Sequence, residues 1–202
     1  MIHVERWPFS SEPLLVLVAA AVCSAGLVLL LFPLLRRYAL ARPNARSSHR
    51  QPTPQGGGIA VIAATAIVIA AAAMLASRPF GDPAQLALVF ASTIALAAVG
   101  AADDLQPIEA LPRLLLQSLA VLAVIAALPA NLQVLPFAPW WFERALTFVA
   151  ILWFVNAVNF MDGIDWMTVA EVVPVAAGLA LFGLAGAMPR EAMLLSLALC
   201  GA

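Results

Sequence analysis

The chain has 202 residues, 64% of them hydrophobic and only 10% charged, against the ~25% charged of an average soluble domain. That balance excludes an ordinary soluble globular domain and marks an integral membrane protein, and a net charge of −1 gives no basis for a nucleic-acid partner. There is no lysine: all ten basic side chains other than histidine are arginines, which suits fixed charge and bidentate phosphate recognition, although codon bias would give the same composition.

A helix needs about 20 apolar residues to cross the hydrocarbon of a bilayer. The N-terminal segment lacks a basic n-region and an early A-x-A site, so no cleaved signal peptide is expected and the first span acts as its own membrane signal. His3 has no chemistry-bearing neighbour there. The apolar runs predict spans over 14–35, 57–76, 84–102, 114–128, 145–161 and 167–187, the fourth and fifth short for full crossings. A partial seventh, 192–202, stops too soon to span, so the expectation is a chain cut in mid-helix, the N-terminal part of a longer protein. The predicted fold is all-α: a single integral membrane domain, a polytopic helix bundle of six complete helices plus a truncated seventh. Cys23 and Cys200 fall within apolar runs and read as small buried hydrophobes, not as a disulfide or a metal pair.

Arginine sets the expected orientation. Arg36, Arg37, Arg42, Arg46 and Arg50 all lie between the first two spans, half of the arginines in the chain. The first, third and fifth connections are therefore expected on the cytoplasmic side and the N-terminus outside. Phe137, Trp140, Trp141 and Phe142 then fall at the outer edge, as an interfacial aromatic belt or a lateral amphipathic piece.

This alternation delivers three polar clusters to one face. The first runs from Arg42 to Gly58 and holds Arg46, His49 and Gly56-Gly57-Gly58. It reads either as a topogenic basic loop or as a phosphate receptor, with free N–H groups at the start of the second helix; the glycines could equally serve close helix packing. The second is Asp103-Asp104, ending the third span, with Glu109 and Arg113 close behind. Two adjacent acids at a helix C-terminus oppose the macrodipole and repel each other, a conflict that a divalent cation would relieve. Arg113 reads first as a snorkelling edge residue and second as a phosphate contact. The third is Asn156, Asn159, Asp162 and Asp165, at the end of the fifth span. Ionisable groups at membrane depth are expensive and are usually there for function, while the asparagines alone could be interhelical glue. Thr168 and Glu171 have capping-box spacing, and Pro174 is expected to kink the sixth helix. Carboxylates, arginine, histidine and glycine-rich N–H groups on one face suit phosphoryl transfer.

Three stretches carry a family resemblance: Arg42-Pro-Asn-Ala-Arg-Ser-Ser-His49 with the glycines, Gly100…Asp103-Asp104…Arg113…Gln117, and Asn156…Asn159-Phe-Met-Asp-Gly-Ile-Asp165. In that order they resemble the polyprenyl-phosphate N-acetylhexosamine-1-phosphate transferases, glycosyltransferase family 4. The wording is closest to the bacterial branch that initiates O-antigen, and the phospho-N-acetylmuramoyl-pentapeptide transferases are more distant. The resemblance implies a bacterial inner-membrane enzyme with its active face in the cytoplasm. It would transfer a sugar 1-phosphate from a UDP-N-acetylhexosamine to undecaprenyl phosphate and release UMP, with Mg²⁺ (or Mn²⁺) assisting. It implies Asp103, Asp104, Asp162 and Asp165 as catalytic, with Asp104 and Asp162 on the metal. Arg46, His49, Gly56, Gly57, Gly58, Arg113, Asn156 and Asn159 would bind substrate.

The chain departs from the family pattern in three places. Ala41 replaces an acid before Arg42-Pro-Asn. Trp166-Met167 stands where Gly-Leu or Gly-Ile usually follows the second acidic motif, an indole expected to reshape the sugar or nucleotide pocket. The family's later Gly-Asp and His-rich segments, where a further metal-binding aspartate is expected, are not in these 202 residues, so this stretch alone is expected to be inactive. A transporter and a non-catalytic truncated membrane protein are the alternative readings. A transporter should place its acids near the midplane of broken helices, whereas these lie at span ends.

Overall fold

The computed structural model describes residues 11–38, 40–41, 53–54, 56–76, 82–106, 108–128, 132–133, 135–161 and 166–202. It has seven helices among these residues: α1 (Glu12–Tyr38), α2 (Gly57–Leu75), α3 (Pro83–Leu105), α4 (Ala110–Ala127), α5 (Trp140–Met161), α6 (Met167–Leu184) and α7 (Arg190–Gly201). The first six are long and apolar enough to cross a membrane; α7, with 12 residues, is about 18 Å long and falls short. The fold is therefore all-α, with one addition. β1 (Leu40–Ala41) and β2 (Thr53–Pro54) form a minimal antiparallel pair that brackets the arginine-rich loop.

The six spans coincide with the apolar runs, but their ends differ for identifiable reasons. α4 begins four residues before its apolar run: Pro112 lies in the first turn, where its missing N–H costs nothing, and Arg113 finds a partner. α5 begins at Trp140 and takes in Glu143, which is buried at 6% exposure with its Oε2 accepting the Leu135 N–H. α3 starts as Asp-Pro predicts: Asp82 caps the helix by accepting from the Ala84 N–H at 3.0 Å, and Pro83 takes the first position. The capping box at Thr168 and Glu171 is not built. α6 starts two residues too early for it, behind Trp166, and the Glu171 Oε2 is buried without a hydrogen-bond partner. The helix continues through Pro174.

The chain divides into two compact units. The first, Met1–Phe80 with Asp165–Ala202, is organised around α7, which packs against α1, α2 and α6. Its core is rich in small side chains, among them Ala20, Ala60, Ala64, Ala176, Ala180 and Ala198, as suits helices that associate by close van der Waals contact in lipid. A Cβ on Gly183 would collide with Met193, and one on Gly201 with the Leu17 carbonyl. Two polar links join α1 to α7: Arg190 pairs with Glu12, its Nε donating to Oε2 at 3.2 Å, and the Ser24 Oγ donates to the Ala202 carbonyl at 2.6 Å. Cys23 and Cys200 are free thiols and half-buried, not fully enclosed.

The second unit, Gly81–Ile164, is a chain of neighbours, with α3 packed on α4 and α4 on α5. Its buried side chains include Ser92, Gln117, Ala120 and Val121, and Ser92 donates back to the Leu88 carbonyl. α5 turns Leu146, Val149, Trp153, Phe154 and Phe160 outward. Apolar surface so extensive would be an aggregation hazard in water and is the expected state of a helix solvated by acyl chains. The protein is a multi-pass membrane protein.

Candidate active site

The carboxylate of Asp103 in the last turn of α3 has both oxygens engaged. Its Oδ1 accepts the Ile108 N–H at 2.7 Å and its Oδ2 accepts from the Arg113 Nη1 at 2.9 Å, in a partly buried ion pair. An acid at a helix C-terminus and a base at a helix N-terminus are each opposed by the local dipole. Here the two lie across a four-residue connection and offset one another. The conflict that suggested a divalent cation is thus relieved at Asp103 by a guanidinium. Arg113 does not snorkel outward, as expected of an edge residue, but closes on Asp103. Asp104 continues the same helical turn; its side chain, with all of Arg46, His49, Asp162 and Asp165, lies outside the described residues.

Asn156 and Asn159 lie on the last two turns of α5. The Asn156 Nδ2 donates to the Leu152 carbonyl at 2.8 Å. A carbonyl only accepts, so this bond fixes the amide orientation and leaves Oδ1 as the free acceptor face. The bond is to its own helix and so is not the interhelical glue considered for this residue. Asn159 is exposed.

The three glycines begin α2 as their order suggests. Gly56 holds the cap position with φ 93°, a left-handed conformation that glycine adopts without steric cost. Gly57 and Gly58 are exposed, and a Cβ on either would meet nothing within 4 Å. Close helix packing therefore does not account for them. Among the described residues no side chain caps this helix, whose first turn lies at the positive end of the dipole.

Gln117 lies one turn after Arg113 on the same face of α4, is 5% exposed, and has its Oε1 without a donor among the described residues. Its i, i+4 spacing from Arg113 was the available signal. Among the described residues, no three His, Cys, Asp or Glu side chains gather into a metal site. The acids that the resemblance places on a metal, Asp104 and Asp162, are hard oxygen donors of the kind Mg²⁺ takes in ones and twos alongside substrate phosphates.

A "Probable undecaprenyl-phosphate N-acetylglucosaminyl 1-phosphate transferase" of Bacillus subtilis (strain 168) is 27% identical over 184 residues, covering 86% of this chain and 48% of that protein. The chain thus spans about half the length of this curated relative. No solved structure matches it. The model of glycosyl transferase family 4 matches residues 86–202, from inside α3 through α7 and across both the Asp103-Asp104 and the Asn156–Asp165 motifs. By that match over more than half of its length, the chain belongs to glycosyl transferase family 4.

Proposed function

We propose that this chain belongs to a transferase that moves N-acetylhexosamine 1-phosphate from a UDP-sugar onto undecaprenyl phosphate. An oxygen of the lipid phosphate attacks the β-phosphorus of the donor. The bond from that phosphorus to the oxygen bridging the α-phosphate breaks, and UMP leaves with the electron pair. The product is an undecaprenyl-diphosphate-linked sugar, which would initiate O-antigen or another cell-envelope glycan.

The observation that carries the reading is the setting of Asp103 in a family 4 chain. Asp103 accepts from the Ile108 N–H and from Arg113, which holds its carboxylate at the end of α3 while each oxygen keeps a further acceptor site. Asp103 and its neighbour Asp104, with Asp162 and Asp165 from the second acidic motif, would carry the reaction chemistry. Mg²⁺, held by Asp104 and Asp162, would supply charge neutralisation to the diphosphate. Gly56–Gly58 would offer N–H groups to a phosphate, with Arg46 and His49 adding positive charge from the preceding loop. The Asn156 Oδ1 and Asn159 would accept hydrogen bonds from the donor. A single crossing by each span would bring the ends of α3 and α5 and the start of α2 to the same side of the membrane. The arginine distribution supports a cytoplasmic placing of that face, and the proposed site is the cytoplasmic face of a bacterial inner membrane.

UMP release from UDP-N-acetylglucosamine and related UDP-sugars, measured with undecaprenyl phosphate and Mg²⁺ in membranes containing the protein, tests the reading. Asp104→Asn and Asp162→Asn are expected to lower turnover at least about 100-fold. Full turnover in both variants would sink the site assignment.

A further inference from the structure

Trp166 is the one non-glycine residue with a left-handed backbone among the described residues, at φ 64° and ψ 0°. A Cβ in that region crowds the following carbonyl, so a bulky side chain holds it only under constraint. The protein gains no packing in return. The indole is 79% exposed, and among the described residues no ring or cation stacks on it. Tryptophans do anchor helices at the membrane edge. Position 167, one residue on and in regular helix, would serve that purpose without strain, so anchoring does not explain an indole at 166. A strained, exposed aromatic residue directly following the second acidic motif is where function is sought.

We infer that the Trp166 indole is the stacking platform for the uracil ring of the nucleotide donor, and hence a specificity-determining residue. The inference rests on the transferase reading above. A nucleobase presents two flat faces that lose water on stacking, and an exposed indole presents the matching plane. A hexosamine instead presents hydroxyl and amide edges, and the indole has a single N–H to answer them.

UMP keeps the base and lacks the sugar, so it separates the two contacts. In membranes containing the protein, the KM for UDP-N-acetylglucosamine and the inhibition constant of UMP are measured for wild type, Trp166→Gly and Trp166→Phe. The glycine variant is expected to raise both constants by one common factor, about ten-fold. Its kcat should stay within about two-fold. Its melting temperature should not fall, because glycine is at ease in this backbone. Phenylalanine, which keeps a stacking face, should hold both constants within about three-fold of wild type. A raised KM with an unchanged UMP constant would place the ring on the sugar and overturn the inference. Two unchanged constants would make Trp166 an anchor, and a lowered melting temperature with lost activity would make it structural; either overturns it. If full-length wild-type protein releases no UMP from any UDP-sugar, the transferase reading itself fails and takes the inference with it, a result distinct from any seen only in the variants.

Discussion

At the scale of single residues, the charge of Asp103 at the end of α3 is matched by a charge at the start of α4. Asp103 and Arg113 each oppose the dipole of the helix that carries them, and each is the other's compensation. Removing the guanidinium by Arg113→Ala leaves a partly buried carboxylate with only the Ile108 N–H. A double-mutant cycle with Asp103→Asn, read by thermal unfolding in detergent, is expected to show coupling of roughly 0.5–2 kcal/mol; zero coupling would show that the contact contributes nothing. The individual residues of this pair were legible in the sequence, but the pairing was not. Ten residues separate the two, and nothing in that spacing shows that the chain returns to bring Arg113 onto Asp103. Nor does the sequence alone say whether glycines pack or open: Gly57 and Gly58 face empty space, while Gly183 and Gly201 are pressed against neighbours, and all four stand in apolar helices.

At the scale of helices, the number and order of spans were legible because hydropathy over about 20 residues is a length measurement against the bilayer. The ends were not, since helical hydrogen bonding continues through a charge that finds a partner. Arg113 and Glu143 extend α4 and α5 for that reason. The cap of α6 at Trp166 was missed because the spacing of Thr168 and Glu171 imitates a box two residues downstream. Two glycines on α6 give a controlled comparison. A Cβ at Gly178 meets nothing within 4 Å, whereas at Gly183 it enters the Met193 side chain. Gly178→Ala should therefore leave thermal stability unchanged or raise it by up to about 1 kcal/mol. Gly183→Ala should lower it by about 1–3 kcal/mol, as overpacking does. Equal effects at the two sites would contradict the close approach of α6 and α7.

At the scale of the whole molecule, the arginine distribution predicts that residues 39–56 face the cytoplasm and residues 76–82 the opposite side. With Cys23 and Cys200 replaced by alanine, Ser48→Cys and Ser77→Cys offer one reporter in each connection. A membrane-impermeant maleimide added to intact spheroplasts should label position 77 and reach 48 only after permeabilisation. The reverse pattern would invert the topology and move the acidic motifs away from a cytoplasmic nucleotide. The division into two units was not legible in the sequence, because a run of spans carries no sign of which will be neighbours. Nothing in the hydropathy of α7 distinguishes it as the helix at the centre of the first unit.

That first unit is discontinuous, and its polar clasp joins Glu12 to Arg190, 178 positions later. A ribosome adding about 5–20 residues per second leaves roughly ten to forty seconds between the two. During that interval α3, α4 and α5 enter the membrane, while α1 waits with the Ser24 hydroxyl and the groove opposite Leu17 unfilled. Insertion order and assembly order are thus different sequences of events in this protein. A pause in translation between α2 and α7 would lengthen the time for which that face of α1 stands without the helix that covers it in the finished fold.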